Sequence, residues 1–399
     1  MKKILFATIV PFWNRATGAQ QRIFSLVKVL EAHGHQVRVF FPAHTDPSDQ
    51  QTAQALGLDV AFERSDQAPA ANQSLSQKIK WQVDAVKHAV SNLGAATDQN
   101  GPLQLSNFRW PWAEVAFKDA VIEFAPDAIV CEYITMAYLV ESLPADLRSK
   151  IHCFVDTHDL LSRRQQEFAD HDRRHWITVS PEEEAAALSA FDTIVAIQED
   201  EAAVLKTMAP ESAVIVVGHQ TLVADEMDAK TQNDSEVITI GYLGSNNASN
   251  VDAINQFLDI VWRNFQDDPR GQLVLAGSAS DEVPASLRFK NVTCLGSVDD
   301  VSDFYTQVDG VINPVGYGTG LKIKSVEAIA YGKPLLCTPT GWVGRPIGGV
   351  TVVDQVQEMT GVIKQWFDYR ESFERISLAA CASSQMSADQ IYRPLLDLL

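Results

Sequence analysis

No apolar run in this chain approaches the ~20 residues that a bilayer-crossing helix needs, so nothing in it reads as a membrane span. Positive charge is scarce as well: 32 lysines and arginines stand against 51 aspartates and glutamates, a net charge of −19. A nucleic-acid binder needs a basic face to displace counterions, and so does a protein that spreads over anionic lipid. Nucleic acid is therefore excluded as a partner, and any membrane contact is at most peripheral. The five cysteines (Cys131, Cys153, Cys294, Cys337 and Cys381) have no paired spacing, and four lie in or beside apolar, strand-like runs. That excludes a disulfide framework and a zinc finger, and fits small core residues in a reducing compartment. The opening MKKILFATIVPFW has the lysines and apolar run of a signal peptide, but the run is short, no small-residue cleavage site follows, and an amphipathic helix comes next. The expected location is the cytoplasm, with at most peripheral contact at the inner face of the membrane. Internal repeats, low-complexity tracts and a GxGxxG fingerprint are also missing; the last absence counts against a dinucleotide-dependent dehydrogenase.

What is present is an alternation of strands and helices. At 399 residues, 46% apolar and 21% charged, the chain suits two domains of about 200 residues each. The first reads as strand Ile4–Val10, helix Ala19–His33 and strand Gln36–Phe41, with later strands at Asp127–Cys131, Ile151–Val155, Thr193–Ile197 and Ala213–Val217. Between Ala68 and Pro111 the pattern is least regular, although Ile79, Val83, Val86 and Val90 form one helical stripe. The polar stretch Ala224–Val237 reads as a linker after a domain of residues 1–223. A second alternating domain follows over 238–382: strand Ile238–Leu243, helix Val251–Phe265, strands Gln272–Ala276 and Val292–Leu295, helix Val301–Val308, then strand Val311–Asn313. Residues 383–399 read as a terminal helix. Two doubly wound α/β halves are expected.

The most informative stretch is Gly316–Leu336, GYGTGLKIKSVEAIAYGKPLL. Pro314 blocks helix in the preceding strand, a new helix is expected from near Gly320, and Gly332-Lys333-Pro334 gives a stop before strand PLLCT. A helix start offers unpaired N–H groups and the positive end of a dipole, and Gly318 and Gly320 would let an anion approach the backbone. Lys322 and Lys324 add charge there. With Gly320 in the helix, Glu327 would lie on about the same face, roughly 10 Å further along the axis, placed to accept from ribose hydroxyls. Such a strand, glycine turn and helix suits a nucleoside diphosphate.

These residues, with Thr338 and Gly341, resemble the donor-binding helix of family 4 glycosyltransferases, in a branch carrying GTGLKIK. The resemblance implies an α/β chain of the GT-B fold: two facing Rossmann-like domains with a cleft between them, the second holding the nucleotide-sugar donor, the first on the acceptor side, and the terminal helix packed back on the first. Glu327 matches the second of the family's paired glutamates; the first falls on Thr319, a departure that bears on sugar identity and catalysis. The implied activity is a retaining, hexosyltransferase-like transfer from a nucleotide sugar to a hydroxyl acceptor, a glycan or lipid-linked glycan of polysaccharide biosynthesis. No metal or other cofactor is expected.

By the same resemblance Gly18 and Ala19, in the turn after the first strand, face the donor or acceptor, and Arg22 is either a ligand contact or a solvated helix residue. His158, in VDTHD at the carboxyl end of a strand, orients the sugar or shares developing charge, with Asp156 and Asp159 fixing its tautomer or capping the helix. Gly244 and Ser245, in YLGSNNASN, offer contacts to phosphate in a loop without a basic residue, ahead of a helix that Ser249 or Asn250 would cap; Val298 flanks the base. Gly318, Thr319, Gly320, Leu321, Lys322, Lys324 and Glu327 complete the donor set, with His158, Lys322 and Glu327 the expected catalytic groups. Phe108, Trp110 and Trp112 crowd together as acceptor-side or core aromatics. The acidic spacing of Asp170-His171-Asp172 reads as a solvated charged face. A nucleotide-sugar epimerase and a non-catalytic nucleotide-sugar binder are the alternatives, the latter suggested by Thr319. Base, sugar, acceptor, linkage and oligomeric state stay open at this level.

Overall fold

The computed structural model of the chain describes residues 1–43, 47–62, 102–221, 237–298, 300–343, 347–383 and 388–399. The helix expected around Ile79–Val90 and all of the expected linker but Val237 lie outside these residues. The chain forms two compact units, one of Met1–Arg15, Ala19–Gly218 and Asp389–Leu399, the other of Ala16–Gly18 and His219–Ala388. Among the described residues, no helix is long and apolar enough to cross a membrane.

The first unit has strands β1 (Lys3–Ala7), β2 (Gln36–Phe41), β3 (Val60–Phe62), β4 (Leu103–Gln104), β5 (Ala128–Glu132), β6 (His152–Asp156), β7 (Ile177–Thr178), β8 (Thr193–Ala196) and β9 (Ala213–Val216). Seven of them make one parallel sheet in the order β3-β2-β1-β5-β6-β8-β9, and β4 pairs with β7 apart from it. Parallel strands covered on both faces need apolar side chains in succession rather than alternation. Ile4, Leu5, Phe6 and Ala7 of β1 are accordingly all fully buried. Helix α1 (Gly18–Ala32) buries Ile23, Leu26, Val27 and Leu30 at helical spacing. Further on come α2 (Pro111–Phe124), with Pro111 in its first turn, and α3 (Leu161–Asp170). The β5–β6 ladder sets Glu132 opposite Asp156 at the carboxyl edge of the sheet.

The second unit holds β10 (Ile238–Leu243), β11 (Gly271–Ala276), β12 (Val292–Gly296), β13 (Gly310–Asn313), β14 (Leu335–Cys337) and β15 (Val350–Val352), parallel in the order β12-β11-β10-β13-β14-β15. Helices α4 (Ala248–Ile260), α5 (Val301–Gln307) and α6 (Ile323–Ala330) follow β10, β12 and β13. A core of Ile240, Phe257, Trp262, Leu273, Ile312 and Trp366 lies on this sheet, and a second cluster gathers Phe304, Tyr305, Val308, Val311, Ala328 and Leu335.

Several expected boundaries move, each for a local reason. β1 ends at Ala7 rather than Val10, because the Val10 N–H turns back to Thr8 Oγ1 at 3.0 Å and Phe12–Asn14 forms a 3-10 turn. The helix expected over Val251–Phe265 is α4 followed by a 3-10 turn at Trp262–Phe265; its cap is Asn247, whose side chain accepts from the Asn250 N–H, and not Ser249 or Asn250. Gly318 and Gly320 have φ of 111° and 74°, in the left-handed half that a helix excludes, so α6 begins only at Ile323. Behind this loop Asn313 Nδ2 donates to Ser325 Oγ at 2.8 Å and to the Gly341 carbonyl at 3.1 Å, while Thr338 Oγ1 donates to the Val315 carbonyl at 2.5 Å. Gly341 has no room for a side chain, since a Cβ there would lie 2.4 Å from the Asn313 carbonyl oxygen.

Candidate functional site

The loop between β13 and α6 closes around a lysine. Lys322, at the cap position of α6, donates from Nζ to the carbonyls of Gly318 at 2.9 Å, Thr319 at 2.7 Å and Gly320 at 3.1 Å. The two left-handed glycines make that curl possible. An ammonium and the positive end of a helix dipole thereby coincide at the start of α6.

Lys324 turns away from this loop. Its Nζ donates to Asn250 Oδ1 at 2.6 Å and Tyr242 OH at 3.3 Å, and stands 4.6 Å from the centre of the Tyr242 ring. Burial, helped by the neighbouring charge of Lys322 and opposed by Glu327, lowers its pKa to about 7. Glu327 is 3% exposed and accepts from Tyr305 OH at 3.1 Å; Tyr305 in turn stacks on Tyr331 at 4.4 Å between ring centres. Burial raises the Glu327 pKa to about 7 against the opposing pull of Tyr305 and Lys324. Gly320 and Glu327 do not share a helical face, because Gly320 is outside the helix. Glu327 lies instead one turn into α6, in a polar niche formed with Tyr305 and Lys324.

The other donor-side expectations divide. Gly18 groups with the second unit, and a Cβ on it would come 2.9 Å from Ile323 Cγ1 at the start of α6, so its lack of a side chain permits close packing there. Ala19 groups with the first unit. Gly244 donates its N–H to the Ala276 carbonyl and accepts at its carbonyl from the Ala279 N–H, so both backbone groups have partners within the fold. Ser245 accepts at its carbonyl from Asn250 Nδ2 at 2.9 Å, which fixes the residue that holds Lys324. Leu321 and Val298 are half-buried, Val298 against the cluster around Phe304 and Tyr305.

In the first unit His158 sits at the carboxyl edge of the sheet, 7% exposed, with Nε2 2.5 Å from Glu132 Oε2 and 3.7 Å from Asp156 Oδ2. Its ring stacks on Tyr133 at 4.2 Å. Arg22 is not solvated: it is 1% exposed, and its Nε and Nη2 each donate at 2.7 Å to an oxygen of Asp156. Asp156 therefore pairs with Arg22, and Asp159 with Arg164. Glu132, Asp156 and His158 bring ligand-type atoms within 4.8 Å of one another. The guanidinium on both Asp156 oxygens places a fixed positive charge where a cation would need to bind, which disfavours a metal there. Asp170, His171 and Asp172 are exposed, as a solvated face requires.

The aromatic trio does not act as one surface. Phe108 is fully buried, edge-on to Trp176, and leaves no face for an acceptor. Trp110 is 6% exposed and stacks on the half-buried Trp112 at 6.0 Å.

Residues 237–367 match the family model described as glycosyl transferases group 1. Over that stretch the second unit is similar to the glycosyl transferases of group 1. The match contains the Gly318–Gly320 loop, Lys322, Lys324 and Glu327, so the polar niche lies inside the group 1 region. Among solved structures, sucrose-phosphate synthase from Thermosynechococcus elongatus is similar over 100% of this chain and 98% of its own, at 16% identity and a TM-score of 0.68. HepE from Anabaena covers 100% and 99% at 14% identity and 0.65. TarM from S. aureus covers 100% and 99% at 9% identity and 0.67. No curated protein matches the sequence. The fold over the whole chain is GT-B, as the resemblance implied.

Three residues of this polar niche escape a reading by motif. Asn250 and Tyr242, which hold Lys324, and Tyr305, which holds Glu327, all lie far from GTGLKIK in sequence. The only available signal is a run of polar residues, SNNASN, shortly after an apolar strand that carries Tyr242 as its penultimate residue.

Proposed function

We propose that this protein transfers a sugar from a nucleoside-diphosphate sugar to a hydroxyl of a glycan or lipid-linked glycan, with retention of configuration. The observation that carries this reading is the Gly318–Gly320 loop closed on Lys322 at the head of α6, with Lys324 and Glu327 beside it, all within the group 1 region. The diphosphate sits at the helix start, and Glu327 accepts from the ribose. Support for this donor class comes from HepE, solved with UDP-glucose, and TarM, solved with UDP. In the reaction the bond from the anomeric carbon to the leaving phosphate oxygen breaks, and a bond from the acceptor oxygen forms on the same face. The acceptor's proton passes to the departing diphosphate, whose negative charge Lys322 and the helix start stabilise.

A thermal-shift panel of UDP, GDP, ADP and TDP tests the donor site. At least one of these should raise the melting temperature through preferential binding to the folded state; no shift with any of them sinks the proposal. Hydrolysis of the matching nucleoside-diphosphate glucose then separates a transferase from an inert binder, which releases no sugar. An epimerase would release nucleotide and altered sugar without any acceptor.

Binding should also move a proton. Unliganded, Lys324 titrates at about 7 and is mostly neutral at pH 8. A diphosphate nearby favours the ammonium and raises that pKa, while the nucleotide's own last proton, with a pKa of about 6, is already lost at pH 8. Titration calorimetry at pH 8, in buffers of different ionisation enthalpy, should report net proton uptake by the complex. Net release would count against a diphosphate beside Lys324.

A further inference from the structure

We propose that Asn250 is a positioning residue for the diphosphate: together with Tyr242 it engages two donors of the Lys324 ammonium and leaves the third for a phosphate oxygen. This rests on the donor reading and extends it to a residue of α4 that stands 74 positions from Lys324 in sequence.

The first support is the count of donors. A lysine ammonium has three N–H donors and no acceptor. Around Lys322 Nζ stand three carbonyls, those of Gly318, Thr319 and Gly320, so its donors are spent on its own loop. Lys322 therefore serves a phosphate as a fixed charge. Lys324 differs. Its Nζ meets Asn250 Oδ1 at 2.6 Å and Tyr242 OH at 3.3 Å, which leaves one donor without a hydrogen-bond partner among the described residues.

The second support is that the amide faces only one way. Asn250 is 6% exposed; its Nδ2 donates to the Ser245 carbonyl at 2.9 Å, and its backbone N–H donates to Asn247 Oδ1 at 2.9 Å. Turning the amide over would set its NH2 against an ammonium and its oxygen against a carbonyl, so Oδ1 stays on Lys324. The Tyr242 hydroxyl is committed in the same sense. Its proton goes to the Asn250 carbonyl at 3.1 Å, so toward Lys324 it has only lone pairs to offer.

The third support is the neutrality of the acceptor. An aspartate in this place would form an ion pair and cancel the charge that a diphosphate seeks, whereas an amide oxygen orients the ammonium and leaves its charge uncompensated. The first turns of α4 also brace the loop before α6. Tyr317 OH donates to Asp252 Oδ2 at 2.7 Å, and a Cβ on Gly318 would lie 3.8 Å from Ser249 Oγ and 3.9 Å from Lys322 Nζ. Asn250 thus stands beside the loop that Lys322 closes.

The charged and titratable groups facing Lys324 are Lys322 and Glu327 from its own segment and Tyr242 from β10. Tyr305 from α5 donates to Glu327 and to the Lys324 carbonyl, and Asp252 of α4 is turned to Tyr317. The opposing pull of Glu327 does not offset burial, which is why the Lys324 pKa falls to about 7.

The test uses the full-length chain and UDP, GDP, ADP and TDP, with titration calorimetry of whichever raises the melting temperature. Asn250→Ala should weaken its binding about 10-fold, the scale of one charge-assisted hydrogen bond, and Lys324→Met at least as much. In the double variant Asn250→Ala should add less than about 2-fold to the effect of Lys324→Met, because a residue acting through Lys324 then has nothing to position. Asn250→Asp gives a readout that a packing role would not move. Its carboxylate charges Lys324 before any ligand arrives, so the proton uptake expected of the wild type at pH 8 should disappear. Wild-type affinity in Asn250→Ala would overturn the proposal, as would an equal loss from Asn250→Ala with and without Lys324, or wild-type proton uptake in Asn250→Asp. If Asn250→Ala fails to fold, the isosteric Asn250→Asp decides by proton uptake. If the wild type binds none of the four nucleotides, the donor reading fails and this proposal with it; binding in the wild type without coupling between Asn250 and Lys324 removes this proposal alone.

Discussion

Arg22→Met should destabilise the chain by about 3–5 kcal/mol, the usual cost of removing one partner from a buried ion pair. The substitution keeps most of the volume and removes the guanidinium, so a packing defect contributes little. What it leaves is Asp156, fully buried, opposite Glu132 across the β5–β6 ladder and without the guanidinium that met both its oxygens. The carbonyls of Val217 and Gly218 lose their donors as well. Urea denaturation followed by circular dichroism would measure the loss, and a change below about 1 kcal/mol would show that this pair resembles a surface one.

The pH dependence gives the same prediction a second handle. Burial pushes the Asp156 carboxyl up, but the charge of Arg22, with that of His158, outweighs it and holds the pKa below the usual carboxylate value. A depressed folded-state pKa means stability that is present above the unfolded value of about 3.9 and lost as pH falls through the folded one. In Arg22→Met the main cause of that depression is gone. The wild-type advantage should therefore be full at pH 7 and shrink in acid, because protonating Asp156 relieves the variant and removes the pair from the wild type.

Why such a pair is hidden from a linear reading is plain from its spacing. Apolar runs and periodicity are local properties, and they placed strand Ile238–Leu243 where the sheet has it and the strand expected at Thr193–Ile197 within one residue of its observed end at Ala196. Even the late start of α6 was in principle legible, since two glycines close together favour left-handed turns over helix. Arg22 and Asp156, by contrast, are 134 residues apart, and Asn250 and Lys324 are 74 apart. Nothing local distinguishes Arg22 from a solvated helix arginine; only the parallel order β1-β5-β6 brings the helix after β1 over the end of β6. The same holds for Glu132, which reads as an ordinary polar residue closing an apolar strand until the β5–β6 register sets it beside the segment carrying His158. The loop of Gly318 and Gly320 was more legible because its glycines and lysines lie close together in sequence. What contiguity could not show is that the two lysines part company, one into its own loop and the other toward α4.

That divergence shapes the largest kinetic effect expected. Lys322→Ala should lower kcat by about 10²–10³, the loss typical of removing one preorganised group that stabilises a leaving charge, and should also weaken nucleotide binding. Its Nζ is where the carbonyls of Gly318, Thr319 and Gly320 converge, so the alanine variant removes the charge and also releases the loop. Glu327→Gln behaves differently. The amide preserves shape and can still accept from Tyr305 but gives up the carboxylate, so nucleotide affinity should fall while turnover of bound donor stays close to wild type. Glutamine also removes a group that burial holds at a pKa of about 7, and hence a proton that folding takes up between about 4.3 and 7. The apo variant should thus lose the decline in stability that Glu327 causes as pH rises through that window. Steady-state kinetics of both variants on one donor separate the roles: a kcat effect for Lys322, a KM effect for Glu327. Wild-type donor kinetics in both would remove the diphosphate from the head of α6 altogether.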